Sequence, residues 1–279
     1  MAESILHMGI DVGSTTVKVV VLDDEKNTLF SEYRRHFSDI KSTVEGLFKE
    51  VYETIGSKKF TVVITGSGGL LISNALGLPF VQEVIANKAA ITEFLPDTDV
   101  VIELGGEDAK ILYLSGGLEQ RMNGTCAGGT GSFIDQMSIL LKTDASGLND
   151  LAQKHKIIYP IAARCGVFAK SDVQPLLNEG AAREDVAASI LQAVVTQTIS
   201  GLAQGRPIKG NIVFLGGPLH FLPQLRQQFQ DTLRDNAKSF TTPENAQLFV
   251  AIGASLMYDK NTVTDLPAPM ENLEKINIA

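Results

Sequence analysis

Cysteine, tryptophan and basic residues are all scarce in this chain. Its 279 residues include two cysteines and no tryptophan. A disulfide framework needs more cysteines than two, so the sequence argues against such a framework. The 24 lysines and arginines are outnumbered by 32 acidic residues, which gives a net charge of −8. That balance argues against nucleic acid or an anionic membrane as a partner.

Long apolar runs are missing as well. No run of about 18 apolar residues occurs, which argues against a membrane span. The first residues lack a basic segment, and Asp11 interrupts their apolar stretch, so no signal peptide is visible. We therefore expect a cytoplasmic protein. A hydrophobic content of 44% and a charged content of 20% are ordinary for a globular chain, and the length allows one large domain or two smaller ones.

Two segments of the chain are related to each other. Gly9–Leu22 is matched further along by Val101–Leu114, and in each copy an apolar strand ends in a carboxylate, a small-residue turn follows, and a lysine opens the next strand. The matching charged residues are Asp11 and Lys18 in the first copy and Glu103 and Lys110 in the second. This pattern suits the phosphates of a nucleotide and their metal ion.

The turn residues give these hairpins their chemistry. They are Gly13, Ser14, Thr15 and Thr16 in the first copy and Gly105, Gly106, Glu107 and Asp108 in the second. Small residues let backbone N–H groups approach an anion, and the hydroxyls add donors. Asp11 and Glu103 are suited to hold Mg²⁺ directly or through its waters. Two ordinary hairpins with glycine turns are the alternative, which the duplication disfavours.

Strands and helices alternate along both halves, which predicts an α/β fold with mixed sheets. Strands are expected at 6–12, 16–23, 28–36, 60–65, 99–104, 109–115, 118–122 and 211–215. Helices are expected at 40–55, 83–95, 130–141, 146–155 and 183–204, and at 243–258 with Thr242 as N-cap. The expected domains are 1–98, to which a closing helix at about 243–260 returns, and 99–242; residues 261–279 are expected to be a polar tail or linker.

Both cysteines fall in glycine-containing segments just before probable helices. Cys126 lies within Met122–Asp135 and Cys165 within Ala163–Asp172. A helix N-terminus lowers the pKa of a thiol, so both are placed to be thiolates. Two ligands complete neither a zinc site nor a cluster, but a two-fold dimer would supply four, enough for one 4Fe–4S cluster. Free, inert cysteines are the alternative.

Taken together, these segments resemble the actin, heat-shock-chaperone and sugar-kinase ATPase superfamily. Within it they resemble the activators of 2-hydroxyacyl-CoA dehydratases and the ATPase subunits of benzoyl-CoA reductase, from Gly9 to about Tyr258. The most specific match is Asn123–Gly131 combined with Ala163–Gly166, which sugar kinases lack. The resemblance implies two ribonuclease-H-like, actin-like ATPase domains with a nucleotide cleft between them, the second domain carrying both cysteines.

The resemblance also implies roles for individual residues. Asp11 to Lys18 resembles the first phosphate motif, Glu103 to Lys110 the second, and Gly216–Gly217 the adenosine motif. The residues expected to be catalytic are Asp11, Glu103 and Glu107. Those expected to bind ATP or ADP with Mg²⁺ are Gly13, Ser14, Thr15, Thr16, Lys18, Gly105, Gly106, Asp108, Lys110, Gly128, Gly129, Gly216 and Gly217. Cys126 and Cys165 match ligands of one 4Fe–4S cluster shared by a homodimer.

The implied function is ATP-driven electron transfer. A reduced ferredoxin or flavodoxin would supply the electron, and an iron–sulfur dehydratase or reductase would receive it at low potential. Glu103 and Glu107 stand where the family has aspartate and glutamine, so ATP binding is better supported than fast hydrolysis. The alternatives are a small-molecule kinase of the same superfamily, for example for an amino sugar, and a nucleotide sensor without fast hydrolysis.

Overall fold

A computed structural model describes residues 5–56, 58–123, 128–162, 166–266, 268–269 and 272. The strands are β1 Ile5–Val12, β2 Thr16–Leu22, β3 Thr28–Arg35, β4 Lys59–Thr65, β5 Val100–Leu104, β6 Ala109–Tyr113, β7 Glu119–Met122, β8 Gly210–Leu215, β9 Ala237–Thr241 and β10 Val263–Asp265. The helices are α1 Ile40–Ile55, α2 Gly69–Leu76, α3 Glu83–Phe94, α4 Gly131–Leu140, α5 Ala145–Ala152, α6 Gly166–Asn178, α7 Arg183–Thr196, α8 Gly217–Phe221, α9 Pro223–Leu233 and α10 Phe249–Leu256.

The chain forms two compact units. The first unit consists of the residues up to Pro96 and those from Leu248 onward, and the second unit is Asp97–Gln247. The first unit therefore contains β1–β4, α1–α3, α10 and β10. The second contains β5–β9 and α4–α9.

Each unit is built on a five-stranded mixed sheet. The strand order is β10-β4-β1-β2-β3 in the first unit and β7-β6-β5-β8-β9 in the second. In both sheets a central strand pairs antiparallel with the next strand in the chain and parallel with the strand that returns after helices, which is β4 for β1 and β8 for β5. The repeated order confirms the predicted α/β fold with mixed sheets.

Burial explains why the strands read as apolar runs. All of β5 and β6 is buried, and β1 is buried from Leu6 onward. In the first unit Phe48 of α1 and Phe60 of β4 are fully buried in one core. In the second unit Phe133, Phe214 and Phe229 are buried in another. Strands covered on both faces lose the alternation of apolar and polar residues.

Most predicted elements are confirmed, with ends that differ by a few residues, but three expectations were wrong. The closing helix begins at Phe249 and not at 243, because Ala246–Leu248 is a 3₁₀ turn. Its Ala246 N–H donates to Pro243 O at 3.1 Å, and Ala246 O accepts from Gly216 N–H at 3.0 Å. This bond to a distant glycine holds the segment in a turn.

The second error is the length of the α-helix expected at 183–204, which is α-helical only as far as Thr196. After α7 the chain widens into a π-helix over Gln197–Leu202. Thr198 Oγ1 donates back to Val194 O at 2.9 Å, a side-chain bond that competes with the regular backbone ladder.

The third error concerns residues 261–279, which were expected to be a polar tail. Their first part forms β10, which pairs antiparallel with β4, and Lys59 Nζ lies 2.9 Å from Asp265 Oδ2. Leu266 is buried in the core of the first unit. Helix α9 and strand β9 were not predicted at all. In the part of the chain that the structure describes, no helix is long and apolar enough to cross a membrane.

Candidate functional site

The β1–β2 hairpin places a partly buried ion pair near the end of the first sheet. Asp11 and Lys18 are directly opposite each other in the ladder, and Lys18 Nζ lies 2.9 Å from Asp11 Oδ2. The turn closes through Gly13 N–H, which donates to Thr16 O at 2.9 Å. A Cβ on Gly13 would lie 3.2 Å from the Lys18 ammonium, so glycine leaves the space that the lysine head occupies.

A glycine turn after β4 closes on the same carboxylate. Gly66 has φ +99°, and a Cβ there would lie 2.2 Å from Val12 O and 2.6 Å from Asp11 Oδ1. Gly68 N–H donates to Val12 O at 2.9 Å. The left-handed backbone and the lack of a side chain are both required, so this turn is fitted to the end of β1.

The adjoining Thr65 has an unusual hydroxyl. Thr65 is fully buried at the end of β4, where it is the register partner of Asp11. Its Oγ1 has no hydrogen-bond partner among the described residues. A buried hydroxyl without a partner is costly, so this atom points to a ligand or water at the end of the sheet.

The second hairpin, β5–β6, repeats the register. Glu103 and Lys110 are opposite each other in the ladder, and Gly105 N–H donates to Asp108 O at 2.8 Å, as Gly13 does to Thr16. The lysine is placed differently. Lys110 Nζ lies 2.7 Å from Asp108 Oδ2 and 3.7 Å from Glu103 Oε1, so its nearer partner is the turn carboxylate.

Three glycine segments meet at this second hairpin. Gly131 N–H donates to Gly105 O at 3.0 Å and Ser132 N–H donates to Gly106 O at 2.8 Å, so the N-terminus of α4 holds the turn. Gly216 has φ +89°, and a Cβ there would lie 2.1 Å from Leu104 O. Only glycine allows the end of β8 to approach β5 this closely.

Asn123 fixes the same turn from the other side. Its side-chain Oδ1 accepts from Ala109 N–H at 2.7 Å, and its own backbone N–H donates to Ala109 O at 3.2 Å. Its Nδ2 lies 3.5 Å from Glu107 O. Residues on both sides of the segment 124–127 are therefore hydrogen-bonded to one hairpin turn.

Both predicted cluster ligands, Cys126 and Cys165, lie outside the described residues. Gly128 and Gly129 follow the first and are buried, and Gly129 has φ +80°. A Cβ on Gly129 would lie 3.2 Å from Gln197 Cγ, so this glycine packs against the π-helix that follows α7. Thiolates are the usual protein ligands of 4Fe–4S clusters, which agrees with the chemistry of the two side chains.

The donor atoms at the hairpins fit Mg²⁺ shared with a phosphate. Within the described ranges, no group of three or more His, Cys, Asp or Glu side chains forms a metal site. Mg²⁺ in nucleotide enzymes is commonly bound through one or two carboxylates plus substrate phosphates, so it needs no such group. The oxygen atoms that could act as Mg²⁺ ligands are those of Asp11 and the Thr65 hydroxyl in the first unit and of Glu103 in the second.

The structure thus gathers the predicted residues within each unit. Asp11 to Lys18 lie together in the first, and Glu103 to Lys110 lie with Gly131 and Gly216 in the second. Sequence reasoning missed Thr65, Asn123 as a turn contact, and His36, whose ring lies 3.2 Å from Gly13 O. A strand that ends in threonine just before glycine was the available signal for Thr65.

The sequence pattern of the BadF/BadG/BcrA/BcrD ATPase family matches residues 8–257. The chain belongs to this family. It is 30% identical over 255 residues to the 2-hydroxyisocaproyl-CoA dehydratase activator of Clostridioides difficile, covering 89% of this chain and 93% of the relative. The resemblance inferred from the motifs is therefore confirmed.

Two solved structures share the fold of this BadF/BadG/BcrA/BcrD family ATPase. Component A of the (R)-2-hydroxyglutaryl-CoA dehydratase of Acidaminococcus fermentans is 28% identical, with a TM-score of 0.81, covering 92% of this chain and 99% of its own. The activator of the 2-hydroxyisocaproyl-CoA dehydratase of Clostridium difficile, with bound ADPNP, is 26% identical, with a TM-score of 0.77, covering 98% and 99%. These matches confirm the actin-like fold class.

Proposed function

We propose that this ATPase activates a separate 2-hydroxyacyl-CoA dehydratase or benzoyl-CoA reductase type of enzyme by ATP-driven electron transfer. The duplicated hairpin carries the proposal, because both copies place a carboxylate, a glycine turn and a lysine in the same register. Relatives named as dehydratase activators, one of them with bound ADPNP, support it.

ATP is the substrate that the hairpins are proposed to bind. In the first turn, the hydroxyls and backbone N–H groups of Ser14 and Thr15 would donate to phosphate oxygens, and Lys18 would add charge. Lys18 would then exchange part of its interaction with Asp11 for a phosphate. Gly216–Gly217 would give the nucleoside close access to the backbone at the end of β8.

Metal chemistry is assigned to the two strand-end carboxylates. Asp11 and Glu103 would hold Mg²⁺, which neutralises charge on the transferring phosphoryl group when bound. Glu107 lies exposed in the second turn and would orient the attacking water. Its carboxylate adds negative charge where the family has an amide, so we expect slow hydrolysis.

The two cysteines are proposed to bind one 4Fe–4S cluster in a homodimer. Each chain offers Cys126 and Cys165, and four thiolates complete such a cluster only when two chains contribute. When bound, the cluster supplies one-electron transfer at low potential, with a reduced ferredoxin or flavodoxin as the donor. The bonds of Asn123, Gly131 and Ser132 to the second turn support a link between the nucleotide and the segment that holds Cys126.

Activation of a dehydratase tests the proposal. We would reduce the anaerobically purified protein and add it to a purified dehydratase whose own activator is one of the named relatives. Dehydration would then be measured with ATP, with ADPNP and without nucleotide. Activity that requires both ATP and Cys126 would support the proposal. ATP-dependent phosphorylation of an amino sugar without any activation would favour the kinase alternative.

A second alternative, a nucleotide sensor, is favoured by Glu107 alone. It predicts tight ATP binding with hydrolysis no faster than in the Glu107→Ala variant. Measuring ATP binding and ATP turnover on the same preparation separates this alternative from the proposed activator.

A further inference from the structure

His36 contacts the first turn although it lies 23 positions from Gly13. Its side chain is buried, and its Nε2 lies 3.2 Å from Gly13 O. Its Nδ1 lies 3.1 Å from the backbone nitrogen of Ser38. The backbone N–H of His36 donates to Thr15 O at 3.2 Å, so this one residue contacts the turn twice.

The contacts determine the tautomer of the His36 ring. A backbone N–H can only donate, so Nδ1 must accept the bond from Ser38 and carries no proton. The ring proton is therefore on Nε2, which donates to Gly13 O.

The backbone around this contact is strained. Phe37 has φ 45° and Ser38 has φ 68°, both in the left-handed region that side chains disfavour. Packing does not hold Phe37 in place, because its side chain is 83% exposed. Two hydrogen bonds to His36 hold the strained pair instead. Ser38 N–H bonds to the ring, and Asp39 N–H donates to His36 O at 2.7 Å.

The bond to Gly13 O controls the direction of a neighbouring donor. In a trans peptide the C=O of Gly13 and the N–H of Ser14 lie in one plane and point in opposite directions. Because the imidazole holds the Gly13 carbonyl, the Ser14 N–H points away from His36. Ser14 itself is exposed. A rotated peptide would instead present a carbonyl oxygen, which repels phosphate.

We propose that His36 is a positioning residue for nucleotide binding. Its Nε2–H holds the Gly13–Ser14 peptide so that the Ser14 N–H is presented to a phosphate group. The inference rests on the proposed function, because the turn must bind ATP for the donor to matter. A charge-assisted bond to phosphate is stronger than a neutral one, so losing its alignment weakens ATP binding by about tenfold.

Two amide variants separate the two ring contacts, because each replaces only one ring nitrogen. In His36→Gln the side-chain amide nitrogen replaces Nε2 and retains the bond to Gly13 O. In His36→Asn the carbonyl oxygen replaces Nδ1 and retains only the bond from Ser38. We expect the ATP dissociation constant to rise about tenfold in H36N and in H36A and to stay within about twofold of the wild type in H36Q. Turnover at saturating ATP should change little in all three.

Controls separate this inference from the proposed function and from folding. Phe37→Ala changes the exposed residue of the same loop and should leave ATP affinity unchanged. Thermal unfolding without nucleotide reports whether each variant folds. Equal ATP affinity in H36Q and H36N would overturn the positioning role, whereas a wild-type protein that binds no ATP would overturn the proposed function itself.

A measurement on the unmutated protein covers the case of variants that do not fold. The ¹⁵N chemical shifts of the His36 ring report its tautomer directly. We expect the tautomer with the proton on Nε2. A proton on Nδ1, or a charged ring, would contradict the hydrogen bonds on which the inference rests.

Discussion

Thr65, the last residue of β4, is the register partner of Asp11 in the parallel strand β1, and both residues are buried. The two side chains differ in their bonding. Asp11 pairs with Lys18 at 2.9 Å, whereas Thr65 Oγ1 has no hydrogen-bond partner among the described residues. This contrast suggests that the folded protein retains a costly hydroxyl because a nucleotide, its Mg²⁺ or a bound water uses it.

The Thr65→Val variant tests that explanation. Valine has nearly the shape of threonine and lacks the unpaired hydroxyl, so the free energy of unfolding without nucleotide should stay equal or rise by about 1 kcal/mol. Affinity for Mg²⁺-ATP should fall by about tenfold. Chemical denaturation and equilibrium ATP binding measure the two effects.

A matched control lies on the same strand. Thr61 is also buried, and its Oγ1 is 2.8 Å from His7 Nδ1. Thr61→Val should therefore lower stability and leave ATP affinity unchanged. If Thr65→Val destabilises the protein and ATP binding stays normal, the hydroxyl has no role in the site.

Glu107 should limit the rate of hydrolysis. The Glu107→Gln variant removes a negative charge close to the proposed position of the γ-phosphate and keeps an oxygen that can orient water. We expect ATP turnover to rise by about tenfold, equivalent to roughly 1.4 kcal/mol of activation free energy. Glu107→Ala should turn over more slowly than Glu107→Gln. Gln and Ala variants that are equally slow and both slower than the wild type would instead identify Glu107 as a general base.

Asn123 should transmit the nucleotide state to the Cys126 segment. Asn123→Ala removes the acceptor for Ala109 N–H, a bond of 2.7 Å in the described structure. We expect ATP to change the rate at which a thiol reagent modifies the cluster-free protein, and this effect to weaken about fivefold in the variant.

The control for this experiment is Asn178→Ala on the surface of α6, where Asn178 Oδ1 accepts from Gln174 at 3.0 Å. It should leave the effect of ATP on thiol modification unchanged. An Asn123→Ala protein with the full wild-type response would show that the coupling takes another route.

Asp99 should make the second unit sensitive to acid. Ser115 Oγ donates to it at 2.6 Å and Asn211 N–H at 2.8 Å, and these bonds lower the pKa of the Asp99 carboxyl. Because the folded pKa lies below the unfolded value, this stabilisation is present above about pH 4 and is lost as the pH falls through the folded pKa.

Asp99→Asn should therefore cost about 1–3 kcal/mol of unfolding free energy at neutral pH and much less at the acid end of the range. Urea denaturation at several pH values measures the difference. Asp150→Asn, an exposed site with the same change of charge, serves as the control. A pH-independent loss in Asp99→Asn would show that packing, and not the charge, is responsible.

The parts of the site that were predictable are local in sequence. Both hairpins follow from strands of five to eight neighbouring residues and a small-residue turn, and Asp11 with Lys18 is one such local pair. The duplication then identified the turns as phosphate-binding candidates, which no single copy did. The family could be recognised from the motifs, because their carboxylates, glycines, lysines and cysteines occur at fixed spacings.

The parts that were not predictable depend on tertiary contacts. His36 contacts Gly13 across 23 positions, and no periodicity in the sequence connects them. The closing helix was predicted too long because its first residues have good helix signals, whereas the bond from Gly216 to Ala246 O favours a turn. Strand β9 is short and mostly exposed, so it lacks the apolar pattern of its neighbours.

Iron and sulfide analysis of anaerobically purified protein tests the central claim most directly. We expect about four irons and four sulfides per dimer, a brown colour, and loss of both in Cys126→Ser and in Cys165→Ser. The serine variants should still bind ATP, since the hairpins are untouched. A colourless protein that takes up no iron on reconstitution, or one whose iron survives both substitutions, would contradict the account.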